Sequence, residues 1–175
     1  MTPLDWTTII DPTAPLPTGT RARARAQELR AIYQSAMATH AQQRARVTTP
    51  EAVAAAMTPY AVGRHAESAW VLPINARGRA CSAPIEITRG SADGCDLSPR
   101  DVYRAALRAD ACVGIIVCHN HPSGDPSPSP SDIAITKRLI QAGTSVDVPL
   151  YDHVILTPVY GVSVSIRRER PDLWG

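Results

Sequence analysis

His119-Asn120-His121-Pro122-Ser123-Gly124-Asp125-Pro126-Ser127-Pro128-Ser129-Pro130-Ser131-Asp132 is the stretch around which this chain is organised. The apolar, β-branched run from Val113 to Cys118 leads into it, and Ile133 to Ala142 leaves it with helical spacing. Strand, proline-stiffened loop and helix start therefore follow one another. Such a loop can hold side chains at fixed positions at the edge of a buried sheet.

Histidines at i and i+2 on a strand point the same way, because side chains alternate faces. His119 and His121 can thus share one metal ion, and Asp132 would add an anionic ligand from the first turn of the next helix. Two imidazole nitrogens and one carboxylate oxygen suit zinc, and three protein ligands leave a fourth tetrahedral position open for water, as in a catalytic site. A lone histidine in such a loop is usually structural or solvated. Two histidines, an acid in the following helix turn and a Pro-Ser-Gly loop together point to a metal. No obvious fourth ligand exists; Asp125 and Cys118 remain alternatives, although alternation sends Cys118 to the strand face away from His119.

The spacing His-X-His-Pro, six residues, Ser, two residues, Asp resembles the JAB1/MPN (JAMM) metalloenzyme family. The fuller run His119 to Pro126, with Thr136, the segment Leu139 to Gly143 and the pair Asp152-His153, is similar to its bacterial RadC branch. The resemblance covers Pro50 to Ile166. It implies a JAB1/MPN-like (cytidine-deaminase-like) α/β (α+β) domain with a central mixed β-sheet flanked by helices. It also implies that His119, His121 and Asp132 bind Zn2+, that Ser129 assists the reaction centre, and that an upstream glutamate is the base. Glu67 is the candidate, on or just before the opening strand; Glu86 is the rival, and Glu51 is explained by helix capping.

The implied activity is zinc-assisted hydrolysis of a protein or peptide substrate, by a metallopeptidase or isopeptidase. The metal lowers the pKa of its water toward roughly 7, Glu67 takes and passes the proton, and Ser129 helps hold the developing oxyanion. Asp152 and His153 cannot serve each other as neighbours on a strand. One of them can face the metal loop, to orient a metal ligand or anchor the loop, and a purely structural role for the pair is the equal alternative. The second reading is a RadC-like accessory protein of DNA repair or mobile DNA, with a structural or vestigial metal site and a basic helix that binds nucleic acid.

At 175 residues and 44% hydrophobic, the chain can bury one sizeable core. A formal charge of +2 is too small to argue by itself for a nucleic-acid or membrane partner. No apolar run approaches the roughly eighteen residues of a membrane span and no signal pattern opens the chain, so a cytoplasmic location is expected. Cys81, Cys95, Cys112 and Cys118 show no paired spacing and read as reduced, buried thiols. Oligomeric state is not legible.

In chain order, residues 1–20 read as an extended, proline-containing tail in which Trp6 and Ile9-Ile10 could dock. Residues 21–47 read as a basic amphipathic helix, with Leu29, Ile32, Tyr33, Ala36, Met37 and His40 on one face. Its Arg21, Arg23, Arg25, Arg30, Arg44 and Arg46 offer a surface for phosphate backbone or an ordinary solvated face. The RadC branch often carries a helix-hairpin-helix module ahead of this domain; no such Gly-rich hairpin is seen in these residues, so DNA binding through one is not expected here.

Residues 48–167 form the expected domain. A capped helix runs from Glu51 to Met57 and ends before Thr58-Pro59. Strands follow over Glu67 to Leu72 and Ala80 to Thr88. Ser98-Pro99 starts a helix, Ser129 caps another, and Gly143 ends that one as a left-handed cap. Tyr151 to Leu156 and Gly161 to Ile166 read as strands, and 168–175 as a charged, exposed tail. The loops 89 to 97 and 123 to 128 would frame a substrate.

Overall fold

In a computed structural model, residues 15–44, 46–89, 97–159 and 162–175 are described, 34–44 and 89 by backbone only. The expected tail residues 1–14, Cys95 and most of the loop 89 to 97 lie outside the described residues. The chain divides into two compact units at Gln42/Gln43.

In the first unit, helix α1 begins at Thr20 and runs to Arg44, with Ile32 exposed and Arg25 paired to Glu28 at 2.8 Å. Val47, placed at the end of this helix by sequence, is instead buried in the core of the second unit.

The second unit is built on five strands: β1 (Ser68–Ile74), β2 (Ile85–Arg89), β3 (Gly114–Asn120), β4 (Leu150–Leu156) and β5 (Ser163–Ser165). Their order across the sheet is β2-β1-β3-β4-β5. Only β3 and β4 run parallel; the other neighbours are antiparallel. The sheet is therefore mixed, as the sequence led us to expect.

Helices cover both faces, which is why β1 and β3 are buried along their whole length. On one face Trp70, Leu72, Ile116, Cys118, Val154 and Leu156 pack on Val53 and Met57 of α2 (Pro50–Ala61). On the other, Ala69, Val71, Ile115 and Val117 pack on Val102 and Tyr103 of α3 (Pro99–Ala106) and Leu139 of α4 (Pro130–Ser145). The crossover from β3 through α4 to β4 is the part that positions the site. In open α/β sheets, ligands collect beyond the carboxyl ends of parallel strands, where the helix that follows begins.

Four local expectations change. The first is α2, which continues to Ala61 with Pro59 inside it. Ala55, whose carbonyl would accept the N–H that proline lacks, and Pro59 are both exposed, so the interruption falls on the outer side of the helix. The second is Gly143, which lies within α4 instead of capping it; the left-handed residue is Asp147, at φ 55°. Gly143 is required for a close approach: a Cβ there would stand 2.4 Å from Tyr103 Oη and 2.7 Å from the Val148 carbonyl oxygen. Third, Ser98 occupies the cap position of α3 without a capping hydrogen bond. Fourth, the chain end expected to be only charged and exposed forms α5 (Ile166–Glu169) and a turn of 3-10 helix, and Trp174 Nε1 donates to the Leu150 carbonyl at 2.8 Å.

Among the described residues no helix is long and apolar enough to cross a membrane.

Candidate metal centre

His119 is the next-to-last residue of the buried strand β3, which stops at Asn120. His121 nevertheless stays in the sheet pattern, because its amide donates to the Leu156 carbonyl of β4 at 2.9 Å. Period-two alternation therefore holds through His121, and both rings project from one face. Their Nε2 atoms lie 2.9 Å apart.

The chain then turns back through Pro122 and Gly124, whose amide donates to the His121 carbonyl at 3.1 Å and whose φ of 85° suits glycine. The turn returns the Asp125 carbonyl oxygen to His121 Nδ1, 2.8 Å away. That oxygen can only accept, so His121 donates from Nδ1, and in the neutral ring Nε2 then carries the lone pair.

Asp132 reaches the same point from the first turn of α4. Its Oδ1 lies 3.1 Å from His119 Nε2 and its Oδ2 3.5 Å from His121 Nε2. Ser129 holds it there through a capping box: the Asp132 amide donates to Ser129 Oγ at 3.2 Å, and the Ser129 amide donates to Oδ2 at 2.8 Å. Ser129 Oγ also donates to Oδ2 at 2.6 Å. The single hydroxyl proton of Ser129 is thus directed at Asp132, not outward toward an oxyanion.

His119, His121 and Asp132 are the cluster, among the described residues, whose ligand atoms lie within 4.8 Å of one another and could hold a metal ion. Burial by itself would push the Asp132 carboxyl up; the neighbouring His119 and His121 rings outweigh that and hold it well below the usual carboxylate range. Asp132 in turn raises His121, with the Asp125 carbonyl and the charge of Glu67 acting the same way. A carboxylate and a histidine lone pair facing the same few ångströms fit a cation between them. The donor types present match a borderline divalent metal.

Neither alternative fourth ligand belongs to the cluster. The Asp125 carboxylate accepts from the Ser127 amide at 2.9 Å, and Cys118 is buried on the α2 face, where burial pushes its thiol up.

Glu67 precedes β1 and is half-buried. By alternation it shares the face of Ala69, which pairs with His119 across β1 and β3. Glu86 pairs with Trp70 and so faces the other way, where its carboxylate meets Arg64 at 3.1 Å. Glu51 is bound by both terminal nitrogens of Arg168. Of the three glutamates, Glu67 is the one on the metal-facing side.

Asp152 and His153 separate as neighbours on a strand must. His153 is fully buried, pairs in register with Val117, and brings its Nε2 to 2.9 Å from His119 Nδ1. Burial holds it well below its ordinary value, and the nearby His119 adds to the effect, so the ring is neutral. Asp152 does not serve the metal site. Its carboxylate accepts from the His153 and Arg167 amides at 2.7 and 3.2 Å and from Ser165 Oγ at 2.7 Å, joining β4 to β5 and α5. It lines a cleft of about 820 Å³ on the α2 side of the sheet, with Arg77, Tyr151, Arg167 and Arg168, and none of the three candidate ligands lines it.

Two residues that entered the sequence analysis only as part of the family resemblance, with no role, contribute to the site. Asn120, between the histidines, turns to the opposite face; its Oδ1 accepts the Ser68 amide at 2.8 Å and its Nδ2 donates to the Ala66 carbonyl at 3.2 Å. It thereby grips the backbone on both sides of Glu67. Thr136 touches His153 Nδ1 at 2.7 Å. A buried polar residue inside an apolar strand was the available signal for Asn120.

Residues 47–170 match the family described as the RadC-like JAB domain. The chain belongs to that family. Relatives of the RadC-like JAB domain named "UPF0758 protein" include one from Thermotoga maritima, 55% identical over 71 residues, covering 41% of this chain and 32% of that protein. Another, from Desulforudis audaxviator, is 36% identical over 110 residues, covering 63% of this chain and 47% of that protein. A third, from Xanthomonas oryzae pv. oryzae, is 45% identical over 82 residues, covering 47% and 36%. The RadC-like JAB domain chain thus spans a third to a half of the length of these relatives. The mixed sheet and its flanking helices agree with the JAB/MPN fold.

Proposed function

We propose that this chain is a zinc-dependent hydrolase acting on peptide or isopeptide bonds. The observation that carries the reading is the meeting of His119 Nε2, His121 Nε2 and the Asp132 carboxylate, with no fourth protein ligand in that cluster among the described residues. Structural zinc sites are closed by four protein ligands, whereas hydrolytic ones keep a position free. When bound, zinc supplies a Lewis acid and a water of lowered pKa.

The rest is the work of the chain. Glu67, on the His119 side of β1, takes the proton of the attacking water on its carboxylate and returns it to the leaving amine. Asn120 holds the backbone at Ala66 and Ser68 that carries Glu67. Ser129 keeps Asp132 aimed and ionised. An oxyanion role for Ser129 requires its proton to leave Asp132, so aiming Asp132 is its first role. The loop 123 to 128 beside His121 borders the place a scissile bond would occupy.

Elemental analysis of untagged protein tests the metal: about one zinc per wild-type chain is expected, and none for His121→Ala. Peptide and isopeptide substrates then test the chemistry, with Glu67→Gln expected to keep its zinc and lose about a hundredfold to ten-thousandfold in rate. Wild-type protein that takes up no added zinc would sink the hydrolase and redirect the search to nucleic acid and the exposed arginines 21, 23 and 25 of α1.

A further inference from the structure

The His153 ring joins His119 to Thr136 in a chain of hydrogen bonds whose direction can be worked out. Thr136 Oγ1 lies 2.5 Å from the Asp132 carbonyl oxygen and 2.7 Å from His153 Nδ1. A carbonyl oxygen only accepts, and a hydroxyl has a single proton to give. Were that proton given to His153, two oxygens would face each other at 2.5 Å with only lone pairs between them. Thr136 therefore donates to the Asp132 carbonyl and accepts from His153 Nδ1–H.

The rest follows by counting protons. A neutral imidazole has one N–H, so a His153 protonated on Nδ1 has a lone pair on Nε2. That lone pair accepts from His119 Nδ1–H across 2.9 Å. His119 Nε2 is left with its own lone pair, 2.9 Å from His121 Nε2 and 3.1 Å from Asp132 Oδ1, an array of acceptors that a cation among them would satisfy.

We propose that Thr136 and His153 are positioning residues that order the protons along this chain so that His119 offers Nε2 as a lone-pair donor to the metal. The inference rests on the reading of the site as a metal centre. Metal-bound histidines usually give their second N–H to a carboxylate, a backbone carbonyl or water. Here a second histidine carries the hydrogen bond on to a carbonyl at the start of α4. Asp132 thus acts twice: its carboxylate is a ligand, and its carbonyl is the last acceptor of the chain that orients another ligand. Because the chain ends on a backbone carbonyl and not on a carboxylate, His119 is oriented without adding a negative charge beneath the site.

The test uses the full chain with 15N-labelled histidine, comparing wild type, Thr136→Val and Thr136→Ser. Nitrogen NMR of the metal-free protein at neutral pH reads the His153 tautomer, and competition with a chromophoric chelator reads zinc affinity. Wild type is expected to show the Nδ1–H tautomer. Thr136→Val should lose that preference and bind zinc about ten- to a hundredfold more weakly, and Thr136→Ser should restore both. An Nε2–H tautomer in the wild type, or Thr136→Val binding zinc as tightly as wild type, overturns the relay. Wild type with the Nδ1–H tautomer but no zinc uptake overturns the metal reading while upholding the hydrogen-bond order.

Discussion

Asn120 Oδ1 accepts the amide hydrogen of Ser68 at 2.8 Å, so the residue between the two histidines also fastens the strand opening that carries Glu67. The same side chain donates to Ala66. One buried amide thereby ties the backbone around Glu67 to the strand bearing His119, and an amide has a donor and an acceptor for this double contact.

Asn120→Ala leaves the Ser68 amide and the Ala66 carbonyl without these partners. Removing a buried hydrogen-bond partner costs about 1 to 3 kcal/mol. A urea titration should show the lower midpoint at unchanged slope. A midpoint equal to that of wild type would mean that the clamp does not hold this segment.

Ser129→Ala removes both the helix cap and the hydroxyl proton on Asp132 Oδ2. Loss of such a cap costs about 0.5 to 2 kcal/mol. If Ser129 also aims the ligand, zinc affinity should fall about ten- to a hundredfold by chelator competition. A stability loss with zinc affinity intact would reduce Ser129 to a cap.

Gly143→Ala places a methyl group against Tyr103 Oη and the Val148 carbonyl. Such overpacking costs roughly 1 to 3 kcal/mol. Tyr103 Oη is itself engaged, donating to the Leu139 carbonyl at 2.9 Å. In the double mutant Gly143→Ala/Tyr103→Phe the offending hydroxyl is gone, so the two losses should combine to less than their sum in thermal denaturation. Strict additivity would show that Val148, not Tyr103, is the obstacle.

Glu51 is held down to about 2 from an ordinary 4.5, first by its hydrogen bonds to Arg168. The folded value lies below the unfolded one, so ionised Glu51 favours the folded chain. That contribution is present above 4.5 and is lost as the pH falls toward about 2. Melting temperatures of wild type and Glu51→Gln should therefore converge on acidification through this window. A constant gap would show that the ion pair does not contribute.

The proline-rich loop and what lies on either side of it were legible from the residues alone. The i, i+2 histidines, the Ser129-Pro130-Ser131-Asp132 helix start and the apolar run before them are local patterns, and local backbone geometry was enough to bring His119, His121 and Asp132 together. Helix ends were less legible. Pro59 and Gly143 carry breaker signals, but an exposed helix turn in one case and a crowded tyrosine in the other changed their meaning.

By itself the sequence determined relations within each strand: that Asp152 and His153 face apart, that Cys118 turns away from His119, and that Asn120 opposes both histidines. Only the tertiary structure decided which member of each set faces the metal. Pairing of Trp70 with Glu86 turned that glutamate to the α2 side, and pairing of Val117 with His153 brought that ring beneath His119. Alternation is a property of one strand and can be counted along the chain. The face a strand presents to its neighbours depends on register, which is set by hydrogen bonds between residues far apart in sequence.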